Sequence, residues 1–343
     1  MSTAVSADGL LKLLQQGIAV IWDGDFHQGR QLMLSVKRRL VERLTKDVTT
    51  PMPERFHKLR MMRSQQARLL GSILLSVEPG WQLTNRRAPK IDLACEQALG
   101  QPLQATTLMP MTELLGILSA YQWHLQGVPI AALESRIHPR HGVFAPTRQE
   151  YLPLVAQAPL PAPCLSALDL GTGTGVIAIV LARRGISHVV GIDLHPQPVK
   201  CAQDNVHRLG LTNQITITQG DLMTNTGRFD LIVCNPPWLP GIAHNALEAA
   251  IYDPDHRMLK GFLAQASHHL TPHGQAWLIM SDLAEHLGLR KREDLPGWIS
   301  GAGLKVLAKH DTRPSHPKTS DSQDPLAYWR AKEVTSLWQL SLA

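Results

Sequence analysis

The chain has 343 residues, 44% of them hydrophobic and 18% charged, with a formal net charge of +6. That length allows a large core and about two domains. No apolar run approaches the roughly 18 residues of a membrane span, and Met1 to Leu10 lack the basic start and apolar core of a secretory signal. Cys95, Cys164, Cys201 and Cys234 lie far apart with no C-x-x-C, which argues against a disulfide framework or a structural zinc site. A cytoplasmic protein with no membrane partner is expected. The 16 histidines show no metal-ligand spacing, so no metal is expected either.

Residues 1–126 read as a mostly helical substrate-recognition domain, with breaks at Thr50-Pro51-Met52-Pro53 and Glu78-Pro79-Gly80. Within it Leu32, Val36, Leu40 and Leu44 repeat every four residues, which predicts an amphipathic helix over Arg30 to Lys46. Its outer face carries Lys37, Arg38, Arg39, Arg43 and Lys46, and a second basic set follows at Arg55, Lys58, Arg60, Arg63 and Arg68. Residues 1–145 hold 17 Lys and Arg against 11 Asp and Glu, while residues 146–343 hold 17 of each. The whole positive excess therefore lies in the N-terminal part. Such a face suits RNA phosphates or is simply a solvated helix surface, and both readings stay open.

Residues 127–163 read as a hairpin and linker. Gly, Pro and β-branched residues suit a hairpin over 127–145, and Ala158 to Pro163 is a stiff, proline-rich approach to a first strand. From Cys164 onward strand and helix patterns alternate, which implies a parallel sheet. Strands are predicted at Cys164 to Leu170, His188 to Asp193, Ile215 to Thr218, Phe229 to Cys234, Ala276 to Met280 and Leu304 to Ala308. Ser336 to Leu342 is expected to return as an antiparallel last strand. Asp311 to Asp324, rich in Pro, Ser, Asp and His, reads as a loop.

The chemistry gathers behind these strands. Asp169-Leu170-Gly171-Thr172-Gly173-Thr174-Gly175 joins a strand to the helix expected from Val176. Glycine lets a ligand approach the backbone, and the helix N-terminus beyond offers free N–H groups. The spacing is G-x-G-x-G rather than the dinucleotide G-x-G-x-x-G, which argues against a nicotinamide cofactor. Asp193 ends the second strand, where a carboxylate can accept from ribose hydroxyls, and Leu194 follows it. Asp221 and Leu222 follow the third strand and are placed to meet an adenine edge. A turn or cap role is the alternative for each Asp. The fourth strand delivers Asn235-Pro236-Pro237-Trp238. The Asn235 side-chain carbonyl and the Pro236 backbone carbonyl can each accept one N–H bond from a planar NH2 group. The two prolines stiffen the turn, and Trp238 offers a stacking face.

Taken together, Asp169, Gly171, Thr172, Gly173, Gly175, Asp193, Leu194, Asp221, Leu222 and Asn235-Pro236-Pro237-Trp238 resemble the class I S-adenosylmethionine-dependent N-methyltransferases over roughly residues 140–343. The resemblance implies a Rossmann-like, seven-stranded α/β sheet filling residues 164–343, with S-adenosyl-L-methionine as cofactor. Gly127-Val128-Pro129-Ile130-Ala131-Ala132-Leu133 and Pro146-Thr147-Arg148-Gln149-Glu150-Tyr151-Leu152 are similar to the lead-in of the protein-glutamine methyltransferases that act on release factors and a ribosomal protein. The chain departs from that family in a short intervening segment, in Thr147 standing for the usual arginine and in Trp238 standing for the usual tyrosine. The implied partner is a glutamine side chain of a translation protein. The basic N-terminal face points instead to the exocyclic amine of an RNA base, and a cofactor-binding module without turnover is a third reading.

Overall fold

The protein is described by a computed structural model covering residues 5–44, 51–101, 104–224, 226–314 and 324–343. It divides into two compact units, Met1–Trp123 and His124–Ala343. The first holds helices Ala7–Gln15, Phe26–Leu44, Glu54–Gly71 and Asp92–Leu99 around Leu10, Leu14, Trp22, Val36, Ile73, Leu75, Met111 and Leu114. It is less purely helical than expected. A central strand, Ile73–Glu78, pairs in parallel with Val20–Ile21 and antiparallel with Gln82–Leu83 and Thr107–Pro110. Its residues alternate buried and half-buried, the two-residue period of a strand, and Ile73 and Val77 are β-branched. The short apolar run Ile73-Leu74-Leu75 hid that period at the sequence level. Within this unit Arg39 Nε lies 2.8 Å from Asp8 Oδ1, so part of the basic face is internally paired. Lys46 and the Arg43 side chain lie outside the described residues.

The second unit opens with the hairpin Val128–Ile130 and Ser135–Ile137, then a short helix, Leu152–Gln157. A seven-stranded sheet follows: β1 Ser166–Leu170, β2 His188–Asp193, β3 Ile215–Gln219, β4 Phe229–Cys234, β5 Leu270–Ser281, β6 Leu304–Thr312 and β7 Thr335–Leu342. The strand order is β6-β7-β5-β4-β1-β2-β3. β1 to β5 pair in parallel, and β7 runs antiparallel between β5 and β6. β6 takes in Asp311 and Thr312, where a loop was expected to begin, and residues 315–323 lie outside the described residues.

The strand sequences explain the layering. Ala167, Leu231, Val233, Trp277 and Ile279 face one side, with helices α1 Val176–Arg183 and α2 Pro196–Arg208. Leu168, Leu170, Ile232, Cys234, Leu278 and Met280 face the other, where Leu259, Phe262, Leu263 and Ala266 of α3 Arg257–His269 cover them. Apolar residues on both faces are what a sheet covered by helices on both sides requires. No helix among the described residues is long and apolar enough to cross a membrane.

Candidate active site

Register brings the predicted site residues to one edge. Leu170 at the end of β1 lies opposite Cys234 of β4 and Ile192 of β2, and Asp193 lies opposite Gln219 of β3. Gly171, Asp193, Asp221 and Asn235 therefore all leave the sheet at the C-terminal ends of parallel strands, the edge where open α/β sheets hold ligands.

The loop after β1 is built by glycine. Gly171, Gly173 and Gly175 have φ of +74°, +57° and +82°, a region that residues with a Cβ rarely adopt. A Cβ on Gly171 would stand 2.5 Å from Met258 Cε, and one on Gly175 would stand 3.2 Å from Ala202 Cβ. Gly171 and Thr172 donate to the Ile192 carbonyl at 2.8 and 2.9 Å. Asp169 is fully buried beneath this loop. Its Oδ2 accepts from the Thr172 hydroxyl at 2.7 Å and the Ala178 N–H at 3.0 Å, tying the loop to the first turn of α1. Its Oδ1 is buried with no hydrogen-bond partner. Burial pushes the Asp169 carboxyl from its ordinary 3.8 up to about 6, with the charge of Asp193 adding to the rise.

Asp193 Oδ2 accepts from Gly173 N–H at 3.0 Å, and Oδ1 from His195 N–H at 3.2 Å. Each oxygen keeps further acceptor capacity. Burial raises this carboxyl too. Leu194 is exposed beside it, its carbonyl accepting from Gln219 Nε2 at 3.0 Å. Asp221 is also held: its Oδ2 accepts from Arg257 at the start of α3. Leu222 takes a left-handed φ of +54° and packs toward Gly261, where a Cβ would meet its Cδ1 at 2.5 Å. Arg257 and Met258 thus reach back over the C-terminal edge of the sheet, to Asp221 and Gly171, a contribution that no local motif announced.

Asn235 is held from two directions. The Trp238 indole N–H donates to Asn235 Oδ1 at 3.0 Å, and the buried Tyr151 hydroxyl also hydrogen-bonds to the Asn235 side chain. Burial drives the Tyr151 hydroxyl well above its ordinary range, so it stays protonated. Pro236 is buried, and Pro237 and Trp238 are half-buried. The Arg148 guanidinium lies over the Trp238 ring, 4.6 Å from its centroid. Arg148 in turn bonds Glu150 and Glu333. The turn Arg148-Gln149-Glu150-Tyr151 was visible in the sequence, but its residues were not singled out as site residues. Glu333 carries no local signal, because its partner lies 185 residues away.

Residues 134–291 match the family model of the methyltransferase small domain. The chain is 31% identical over 194 residues to the release factor glutamine methyltransferase of Geobacter sulfurreducens, covering 52% of this chain and 62% of that one. It is 47% identical over 74 residues to the tRNA1(Val) (adenine(37)-N6)-methyltransferase of Glaesserella parasuis, covering 21% and 32%. It is 34% identical over 122 residues to the tRNA1(Val) (adenine(37)-N6)-methyltransferase of Porphyromonas gingivalis, covering 33% and 48%. The chain therefore spans less than two thirds of the length of these relatives. The residues at this edge would fit S-adenosylmethionine by their own geometry. The orphaned Asp169 Oδ1 suits the ammonium of the methionine moiety, and the glycine loop leaves no Cβ in the cofactor's path. Asp193 keeps lone pairs for ribose hydroxyls.

Proposed function

We propose that this chain transfers a methyl group from S-adenosylmethionine to a planar amide or amino nitrogen of a macromolecule, a glutamine side chain of a translation protein before any other. The observation that carries the reading is Asn235, presented with two fixed partners at the strand edge that also bears the glycine loop and Asp193. The cofactor supplies an activated methyl group, so the protein's task is positioning. Asn235 Oδ1, already bonded to Trp238, keeps a lone pair for one N–H of the acceptor. The Pro236 carbonyl takes the other, which turns the nitrogen lone pair toward the methyl. The rigid turn removes the need to reorganise these acceptors during transfer.

The choice of glutamine rests on the extent of likeness. The release-factor relative matches this chain over 194 residues, against 122 and 74 for the two tRNA relatives. The net charge of the N-terminal part supports the second reading, an RNA base amine. Transfer of labelled methyl to cell extract, followed by separate protease and ribonuclease digestion, decides between them. Label released by protease alone is expected. Label released by ribonuclease alone would move the assignment to RNA, and no label in either fraction would remove the transfer reaction itself.

Asp193→Ala is expected to weaken S-adenosylmethionine binding by about 1.5–3 kcal/mol, the scale of hydrogen bonds to a charged group. It also releases Gly173 from its anchor. Calorimetry with the cofactor reads this loss, and an unchanged affinity would take Asp193 out of the ribose site.

A further inference from the structure

We propose that Arg148 is a positioning residue for methyl transfer, fixing the orientation of the Asn235 amide through the Trp238 ring; this rests on the transfer reaction proposed above. An Asn amide can turn about its last torsion, which exchanges its oxygen and NH2. Only one orientation serves here, because the acceptor nitrogen needs the oxygen. The indole N–H of Trp238 can donate and cannot accept. Its 3.0 Å bond therefore selects the orientation in which Oδ1 faces the ring and the NH2 does not.

Trp238 follows two prolines in a turn and is only half-buried, so its own ring must be held. Arg148 does this from the face, 4.6 Å from the ring centroid. A cation over an indole draws electron density from the ring and makes the N–H a better donor. The guanidinium is itself fixed. Nε and Nη2 both donate to Glu150 Oε1, the former at 2.8 Å; Nη1 donates to Glu333 Oε1 at 3.0 Å, and Nη2 reaches Thr335 Oγ1 at 3.5 Å. The Glu150 and Glu333 side chains are 3% and 1% exposed, so water cannot replace the cation between them. The Ser281 hydroxyl donates to the same Glu333 oxygen, Oε1, and so helps to hold that carboxylate. The chain of contacts runs from two buried carboxylates through Arg148 and Trp238 to the one side-chain oxygen that the reaction uses.

The variants that test this are Arg148→Lys, Trp238→Phe and the double substitution. Lys keeps a positive charge between the two carboxylates, so the fold is retained, but it loses the planar stack and the fork. Arg148→Lys is expected to lower kcat roughly three- to thirtyfold, the span of a cation–indole interaction. Affinity for S-adenosylhomocysteine by calorimetry and KM for the cofactor should stay unchanged. In the Trp238→Phe background, which has no N–H to orient Asn235, Arg148→Lys should add little further loss. Independently of turnover, the Trp238 indole N–H resonance, assigned by its disappearance in Trp238→Phe, should exchange with solvent faster in Arg148→Lys. Equal losses in both backgrounds, an unchanged kcat, or an unchanged indole exchange rate would each overturn the proposal. A wild-type protein that transfers no methyl group would remove the parent reading while the exchange measurement still tests the clamp.

Discussion

Asn235→Ala is expected to leave S-adenosylmethionine affinity nearly unchanged while lowering kcat about a hundredfold or more, the loss seen when one positioned polar group is removed from an electrostatic site. The residues proposed for the cofactor lie at the ends of β1, β2 and β3, whereas Asn235 follows β4, where its Oδ1 accepts from the Trp238 indole N–H. The substitution also deprives the Trp238 N–H and the Tyr151 hydroxyl of their shared partner. Some loss of thermal stability should therefore accompany the loss of rate. Calorimetry on the variant separates binding from turnover. Full activity in Asn235→Ala would show that the turn does not orient the acceptor.

A second large effect is expected at Asp169. Because burial raises its folded carboxyl from 3.8 to about 6, keeping it ionised costs about 3 kcal/mol. The sign follows from the proton count. The folded state binds the proton more tightly than the unfolded chain, so this contribution favours folding fully below pH 4 and is lost as pH rises through about 6. Above that the carboxylate is charged and ready for the cofactor's ammonium. Wild-type affinity for S-adenosylmethionine should rise as pH increases through about 6. Asp169→Asn keeps an oxygen for Thr172 and Ala178 but carries no charge. Its affinity should be lower by about 1.5–3 kcal/mol at pH 8 and flat across the same range. Its stability should lose the pH dependence between about 4 and 6. A pH-dependent affinity that survives in Asp169→Asn would assign the titration to another group.

The parts of the fold legible in the sequence were those encoded locally. CLSALDL, HVVGID and FDLIVC are compact apolar runs, and each gave a strand, with Gly171 and Asn235 directly after the first and third and Asp193 as the last residue of the second. The Asn-Pro-Pro-Trp turn was equally visible because its chemistry lies in four consecutive residues. What failed to show was long-range. The Ile73–Glu78 strand depends on partners about 50 residues before and 30 after it, and it lies in a stretch that read as mostly helical. Arg148 and Glu333 meet only because β7 enters the sheet, and Arg257 reaches Asp221 only through the placement of α3. Asp169 illustrates an intermediate case. It was expected beside the cofactor, but half of its carboxylate is spent on the loop itself and only the other oxygen remains for a ligand.

The antiparallel course of β7 has a consequence for the order in which the site is completed. Thr335 pairs with Ser281, so the start of β7 lies at the edge where β5 ends, and Glu333 arrives there with it. The glycine loop, Asp193 and the Asn235 turn all precede that strand by about a hundred residues or more. A nascent chain still short of Glu333 holds every residue proposed for the cofactor yet leaves Arg148 with one carboxylate instead of two, and leaves the flank of β5 unpaired. The residues proposed for the cofactor are thus synthesised before the carboxylate that completes the Arg148 clamp.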